Sequence, residues 1–224
     1  MPYIHGKSII KIAVADDHEM FRELVSSHID SIENCKVVIQ AANGSELLDK
    51  MEAKPNTDLV LLDISMPVMN GYDAAKALRE KYPEIHILFC SIYNNEMALC
   101  RMIGVGGNGC IHKGASTTEL RKAFFEIMKN KQYFPMAGGN TVYSDADKHA
   151  KPRHLRMDFS QNELKFMQLI CTEKTYKEIA FDLDMSERQV DYLREGLFAR
   201  LEVHCRVGLA LVAYKSGILT EEPA

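Results

Sequence analysis

The stretch Leu59-Val60-Leu61-Leu62-Asp63 is apolar at four consecutive positions and ends on a carboxylate. Continuous apolar runs, without the alternation of a half-exposed strand, are typical of parallel sheets that helices cover on both faces. Similar runs recur before residue 113, and the segments between them carry apolar residues at helical spacing. The predicted strands are 9–15, 36–41, 58–62, 85–90 and 109–112. This alternation predicts an α/β domain with a doubly wound, five-stranded parallel sheet.

A different pattern begins further along the chain. Residues 131–157 contain prolines and glycines and show no sustained periodicity, which is typical of a linker. Beyond them the apolar spacing is helical, and two capping boxes, Ser160 with Glu163 and Ser186 with Gln189, predict helix starts. We therefore expect one domain over 1–130, a linker over 131–157 and a small all-α domain over 158–224.

The overall composition is that of an ordinary globular protein, with 224 residues, 27 basic and 31 acidic side chains and a formal net charge of -4. This balance gives no global sign of a nucleic-acid or membrane partner, so such partners have to be inferred locally. The six cysteines form no CxxC pair and mostly have apolar neighbours, which indicates thiols in a reducing compartment. Because the sequence shows neither a signal-peptide pattern nor an apolar run of about 18 residues, we expect a cytoplasmic protein with no membrane partner.

Five polar residues follow predicted strands at the points where the strands end. Asp16 and Asp17 follow the first strand, Asp63 the third, Ser91 the fourth and Lys113 the fifth. The carboxyl ends of parallel strands meet at one edge of a sheet, so we expect these side chains to converge. A single Asp at such a point is more often a helix cap or a turn residue, but the joint pattern is much harder to obtain by chance.

The converging residues predict a metal and a phosphoryl group. Three carboxylates in one small site repel one another unless a cation neutralises them, and hard oxygen ligands suit Mg²⁺. A metal ion, a lysine and a hydroxyl around a central carboxylate form a receptacle for a phosphoryl group, in which Asp63 is placed to attack in line. We therefore predict a Mg²⁺ site and a phosphoacceptor at this edge of the sheet.

These residues closely resemble those of a known family. The motifs Ala15-Asp16-Asp17-His18 and Asp63-Ile64-Ser65-Met66-Pro67, followed by Ser91 and Lys113, resemble the CheY-like receiver domain of bacterial two-component response regulators over residues 9–130. The resemblance implies that Asp63 accepts a phosphoryl group from a sensor histidine kinase, that Ser91 senses it and that Lys113 pairs with it.

The same resemblance implies a set of metal ligands. Asp17 and Asp63 would bind Mg²⁺ directly, Asp16 would act through water, and the Ser65 carbonyl oxygen would complete the protein ligands. One position departs from the family pattern, because Cys110 stands where the family usually has the Tyr or Phe of a rotamer switch. We expect the conformational relay to differ or to be weaker there.

Residues 159–217 resemble the LuxR-type helix-turn-helix, the output domain of the NarL/FixJ response regulators. The matching residues are Glu163, Leu164, Lys177-Glu178-Ile179-Ala180, Leu183, Ser186, Val190 and Arg206-Val207-Gly208-Leu209-Ala210. The resemblance implies that the predicted helix over 186–201 enters the major groove of double-stranded DNA. It also implies that phosphorylation promotes a homodimer through the last helix, about 205–216. The pairing stripe there is Val207, Ala210, Leu211 and Tyr214, beside Gly208.

The candidate DNA-reading helix is poor in positive charge. Its candidate DNA-contacting residues are Arg188, Gln189, Asp191, Tyr192, Arg194 and Glu195. From Ser186 to Lys215 the sequence has five basic and four acidic residues. Since phosphate neutralisation supplies most nonspecific affinity, we expect a single module to bind DNA weakly. The alternative interpretation of Arg188 and Arg194 is an ordinary solvated helix face.

These patterns together predict a phosphorylation-controlled, DNA-binding transcriptional response regulator rather than an enzyme. The alternative is a phosphorylation-dependent regulator whose helix-turn-helix no longer binds DNA and acts through protein contacts. Aspartyl phosphohydrolases also use an Asp nucleophile, Mg²⁺ and Lys, but they normally need a second Asp two residues later as general acid and base. This chain has Ser65 at that position, which argues against such an enzyme.

Overall fold

The computed structural model describes residues 9–53, 56–92, 95–130, 132–134 and 159–220. Its strands are β1 (Ile10–Ala15), β2 (Cys35–Ala41), β3 (Leu59–Asp63), β4 (His86–Ser91) and β5 (Gly109–His112). Its first five helices are α1 (Glu19–Asp30), α2 (Gly44–Ala53), α3 (Gly71–Lys81), α4 (Glu96–Gly104) and α5 (Thr117–Asn130). The later helices are α6 (Gln161–Leu169), α7 (Tyr176–Asp182), α8 (Glu187–Leu201) and α9 (Arg206–Lys215), with a short 3₁₀ helix at Ile218–Thr220.

The five strands form one parallel sheet in the order β2-β1-β3-β4-β5, which confirms the predicted fold class. Every residue of β3 and β4 is buried, as their continuous apolar sequences indicate. Because the side chains of a strand alternate between faces, each strand contributes to two cores. On one face Leu61 and Leu88 pack with Ile29 of α1 and Phe124 of α5. On the other, the ring of Tyr72 in α3 lies 5.9 Å from that of Phe89.

The segment after α5 contributes to the sheet. Tyr133 and Phe134, which fall at the start of the predicted linker, are buried, and Tyr133 forms a bridge with Gly109. Residues 135–158, the remainder of the predicted linker and the first residue of the last predicted domain, lie outside the described residues. The domain boundaries proposed from the sequence remain predictions.

Backbone contacts divide the described residues into two compact units. One holds the residues up to 92 and those from 105 to 134, and the other holds 95–104 and 159–220. By its contacts, α4 therefore belongs to the unit built from α6 to α9, although it lies between β4 and β5 in the chain. Sequence periodicity gave no sign of this grouping.

The second unit is all-helical, as predicted. Capping boxes start α6, α7 and α8. They are formed by Ser160 with Glu163, Thr175 with Glu178, and Ser186 with Gln189. A short turn joins α7 to α8, and Asp184 in this turn adopts a left-handed backbone conformation with φ of 53°. Val190 and Leu197 of α8 are buried, as apolar residues at helical spacing in this segment predict. No helix among the described residues is long and apolar enough to cross a membrane.

Candidate functional site

The carboxyl edge of the sheet brings together several of the residues predicted from the sequence. Asp63 is the last residue of β3 and Ser91 the last of β4, and both are buried. Asp16 follows β1 directly and is also buried. The loop after β3 is drawn tightly over this edge, since a Cβ at Gly71 would lie 2.1 Å from the carbonyl oxygen of Asp63. Only glycine allows that approach.

Lys113 connects two of the carboxylates. Its Nζ lies 2.8 Å from Asp16 Oδ2 and 3.0 Å from Asp63 Oδ2. The same ammonium group lies 5.1 Å from the centre of the Phe21 ring. The backbone amide of Lys113 donates to the Ser91 carbonyl oxygen, which fixes the start of this loop against β4. The Lys113 ammonium group thus pairs with two buried carboxylates at the same time.

Burial and charge act in opposite directions on this cluster. Burial raises the pKa of Asp63, and the hydrogen bond and charge of Lys113 offset that rise only in part. Burial also disfavours the charged form of Lys113, but the hydrogen bonds to Asp16 and Asp63 raise its pKa overall. Lys113 therefore stays protonated, and the pocket still carries more carboxylates than cations. Such a site favours an added cation.

The carboxylate donors fit a hard divalent cation. Ligand atoms of Asp16, Asp17 and His18 lie within 4.8 Å of one another, and this is the cluster of metal-binding groups found in the described part of the chain. His18 Nδ1 lies 2.9 Å from Asp17 Oδ1, and the His18 backbone amide donates to Asp16 Oδ1 over 2.9 Å. His18 is a candidate metal ligand to which the sequence analysis gave no role. Its position directly after Asp16 and Asp17 is the sequence feature that points to it.

Two predicted positions take more ordinary places. Ser65 lies in the loop after β3 with its side chain exposed, and the role of its carbonyl oxygen remains a prediction. Cys110 is buried in β5, and burial raises the pKa of its thiol to about 12. It is therefore a protonated, packed residue at the position where an aromatic switch was the family expectation.

The outward face of α8 combines exposed side chains with internal ion pairs. Arg188 is exposed, and Tyr192 is 84% exposed. Arg194 instead lies 2.9 Å from Asp191 Oδ1 and 2.9 Å from Glu195 Oε1. Its guanidinium carbon also lies 4.9 Å from the centre of the Tyr176 ring. Arg194, predicted as a cationic donor to DNA, is thus already held by its neighbours.

Gln189 has a local structural role. Its Oε1 accepts hydrogen bonds of 2.8 Å from both the backbone amide and the hydroxyl of Ser186. The Gln189 backbone amide donates in return to Ser186 Oγ over 3.3 Å. This closes the capping box that starts α8, so the side-chain carbonyl oxygen of Gln189 is used within the helix terminus. Its predicted contact with DNA remains a prediction.

Comparison with known proteins agrees with this geometry. The model of the response regulator receiver domain matches residues 12–125, and that of the bacterial regulatory proteins of the luxR family matches residues 157–213. The response regulator UvrY of Escherichia coli O6:H1 is 24% identical over 214 residues, covering 96% of this chain and 98% of UvrY. The oxygen regulatory protein NreC of Staphylococcus haemolyticus is 29% identical over 217 residues, covering 94% and 99%.

Among solved structures, an RcsB chain from the structure of two RcsB dimers bound to two parallel DNAs matches this chain with a TM-score of 0.53 at 20% sequence identity. It covers 93% of this chain and 98% of the RcsB chain. That likeness supports the fold, while the two family models and the full-length relatives support the function. The chain belongs to the two-component response regulators, in which a phosphorylation-controlled receiver domain is joined to a luxR-family domain that binds DNA and regulates transcription.

Proposed function

We propose that Asp63 is the phosphoacceptor of this regulator and that a sensor histidine kinase is the donor. The observation that carries the proposal is the position of Lys113, whose Nζ lies 3.0 Å from Asp63 Oδ2 at the edge where the ends of four strands converge. A carboxylate oxygen of Asp63 attacks the phosphorus of the phosphohistidine. A P–O bond forms as the P–N bond breaks, and the electron pair of the broken bond remains on the histidine nitrogen of the kinase.

Asp16, Asp17 and Asp63 would hold Mg²⁺, with the Ser65 carbonyl oxygen as a further ligand. When bound, the ion neutralises the carboxylates and stabilises the charge on the transferred oxygens. Lys113 would release one carboxylate contact and pair with the phosphoryl group, close to the Ser91 hydroxyl. We propose no turnover activity, because the position that a phosphohydrolase fills with an acid is Ser65, whose side chain is exposed.

We further infer that the output requires double-stranded DNA and a second copy of the chain. The exposed Arg188 and Tyr192 support a DNA-facing role for the first turns of α8. The internal pairing of Arg194 supports weak binding by one module, so two modules on neighbouring half-sites, roughly 10 base pairs apart, would supply useful affinity. DNA as the partner, together with six free cysteines of which five are buried, supports a cytoplasmic location.

A labelling experiment tests the phosphoacceptor. The full chain is incubated with Mg²⁺ and a small acyl phosphate, and the intact mass is measured. Asp63→Asn should not gain a phosphoryl group. The matched control is Asp58→Asn at the opposite end of the same strand, where Asp58 Oδ2 accepts the Lys11 backbone amide over 2.9 Å. This variant should be labelled like the natural chain. Full labelling of Asp63→Asn would overturn the assignment.

Removal of the metal provides a second arm. Chelation of divalent cations should abolish labelling of the natural chain, and added Mg²⁺ should restore it. Asp17→Asn should need a higher Mg²⁺ concentration for the same labelling, because one carboxylate ligand is lost. Labelling that is indifferent to chelation would contradict the Mg²⁺ site while leaving the phosphoacceptor assignment in place.

A further inference from the structure

The ring of Tyr176, the first residue of α7, lies against two arginine side chains. The guanidinium carbon of Arg194 in α8 is 4.9 Å from the ring centre, and that of Arg206 in α9 is 5.3 Å from it. The ring of Phe166 in α6 is tilted by only 15° from the Tyr176 ring, with 6.3 Å between the two centres. Tyr176 therefore lies beside residues of all three other helices of the series α6 to α9.

Two of these three neighbours are fixed in the core of the helical unit. Phe166 is fully buried, and Arg206 is only 3% exposed. The Arg206 guanidinium donates to the carbonyl oxygens of Ile170 and Thr172, over 2.9 Å and 3.1 Å. Tyr176 is itself half-buried, and an aromatic side chain has few rotatable bonds. The ring is thus a rigid surface for its third neighbour.

Arg194 makes two kinds of contact that do not compete for the same atoms. Its N–H groups pair with Asp191 and Glu195, over 2.9 Å in each case. The attraction to Tyr176 acts between the positive charge and the π electrons of the ring, so it uses none of the N–H donors. The side chains of Asp191 and Glu195 are more than half exposed, and such ion pairs are weak. An acceptor atom of DNA can therefore replace these acids while the contact with the ring remains.

From these contacts we infer that Tyr176 is a positioning residue for DNA recognition by α8. The inference rests on the proposed function, in which α8 faces DNA. Tyr176 holds the Arg194 guanidinium on its ring both in the free chain and in the DNA complex, while Arg194 exchanges Asp191 and Glu195 for a phosphate oxygen or a base edge. A side chain that is already ordered loses less rotamer freedom on binding. Because two ion pairs are given up in the exchange, the gain in affinity is small.

A double-mutant cycle on the full chain tests this role. The probe is a duplex that the natural chain enriches from a random-sequence pool, and binding is titrated by fluorescence anisotropy. Tyr176→Leu removes the ring and should weaken binding about threefold, the size of one exposed cation–π contact. The same change in an Arg194→Ala chain should have no effect, because the ring then has no guanidinium group to hold. An equal loss in both backgrounds would overturn the inference, since Tyr176 would then act through the fold alone.

Two further variants separate the ring from the other properties of the tyrosine. Tyr176→Phe keeps the ring and loses only the hydroxyl group, so it should bind DNA like the natural chain. Tyr82→Leu makes the matched change at a half-buried tyrosine of the first unit and should also leave binding unchanged. If Tyr176→Phe binds as weakly as Tyr176→Leu, the hydroxyl group rather than the ring is responsible, and the inference is wrong.

NMR measures directly whether Arg194 stays on the ring. Protons near the face of an aromatic ring are shifted upfield, so the side-chain protons of Arg194 should show this shift in the natural chain and in Tyr176→Phe, and lose it in Tyr176→Leu. When the duplex is added, the Nε–H signal should move, because Nε exchanges Glu195 for an acceptor of DNA. The upfield shift should persist. Its loss in the complex would overturn the inference, because the guanidinium group would then have left Tyr176.

Arg188→Ala distinguishes failure of this inference from failure of the proposed function. Arg188 is exposed on the same helix, and its predicted role in DNA binding does not depend on Tyr176. If Arg188→Ala weakens binding and Tyr176→Leu does not, α8 faces DNA and only the inference fails. If neither variant changes binding, α8 does not face DNA, and the inference fails together with the proposed function.

Discussion

The two candidate sites of this protein treat charge in opposite ways. In the proposed phosphoacceptor pocket, Lys113 lies between Asp16 and Asp63, both of which are buried. On α8, Arg194 pairs with two acids of its own helix, Asp191 and Glu195, whose side chains are 57% and 66% exposed. A buried pair is fixed by its surroundings, whereas an exposed pair contributes little and can rearrange. The charged groups of the pocket are thus already fixed in place for a ligand. On α8, the acids of the helix neutralise Arg194, and its ion pairs can be exchanged for a stronger partner.

The largest expected effect of this contrast is on stability. Lys113→Ala leaves two buried carboxylates without their cation, so the free energy of unfolding should fall by about 3 kcal/mol in the absence of divalent metal. Mg²⁺ should recover part of the loss, because the proposed Mg²⁺ site exists only in the native pocket. Urea unfolding with and without Mg²⁺ measures both effects. The control is Lys36→Ala, which breaks an exposed ion pair with Asp30 and should cost about 0.5 kcal/mol. Equal losses of unfolding free energy for the two variants would contradict the proposed difference between the buried and the exposed ion pairs.

A smaller effect is expected between two arginines of the same helix. Arg188→Ala should weaken specific DNA binding by about 1–3 kcal/mol, because its exposed guanidinium is available to a base or a phosphate. Arg194→Ala should cost less than about 1 kcal/mol, since Asp191 and Glu195 already neutralise its charge. Titration of specific and random duplexes gives both values, with Arg121→Ala in α5 as the control. If neither variant changes affinity, α8 does not face DNA and the protein-contact alternative takes its place.

The sheet and the pocket could be predicted from sequence because topology leaves them little freedom. Continuous apolar runs specify buried parallel strands, and the carboxyl ends of such strands share one edge. Asp63 and Lys113 therefore had to approach each other once β3 and β5 were placed. Their convergence follows from the chain order of short elements, and no side-chain detail is needed to reach it.

The remaining features depend on choices that no periodicity records. Arg194 can pair with Asp191 or Glu195 of its own helix. Its third contact, with the Tyr176 ring, forms only when α7 and α8 pack together. The grouping of α4 with the later helices includes a close contact at Gly104, whose missing Cβ lets the chain approach the Cys171 carbonyl oxygen after α6, and no sequence pattern around Gly104 predicts that contact. Exposed side chains and long-range helix contacts are decided by small differences between alternatives, and these are visible only in three dimensions.

The smallest expected effect concerns the acid that neutralises Arg194. Asp191→Lys adds a cation to the outward face of α8 and releases Arg194 from one of its two ion pairs. The logarithm of the DNA-binding constant should therefore fall more steeply with the logarithm of salt concentration, by about one to two in slope, with stronger binding to random duplexes at low salt. Asp191→Asn removes the negative charge that pairs with Arg194 but adds no positive charge, so it should steepen the salt dependence by a smaller amount.

The comparison with Glu52→Lys decides whether this effect is local. Glu52 lies in α2 and pairs with Lys81, so this control changes the net charge of the chain by the same amount but leaves α8 untouched. A local effect requires that Asp191→Lys steepens the salt dependence while Glu52→Lys leaves it close to that of the natural chain. Equal slopes for the two variants would mean that total charge, rather than the self-neutralised face of α8, governs DNA binding. In that case the low affinity expected of one module would have to be explained by net charge alone.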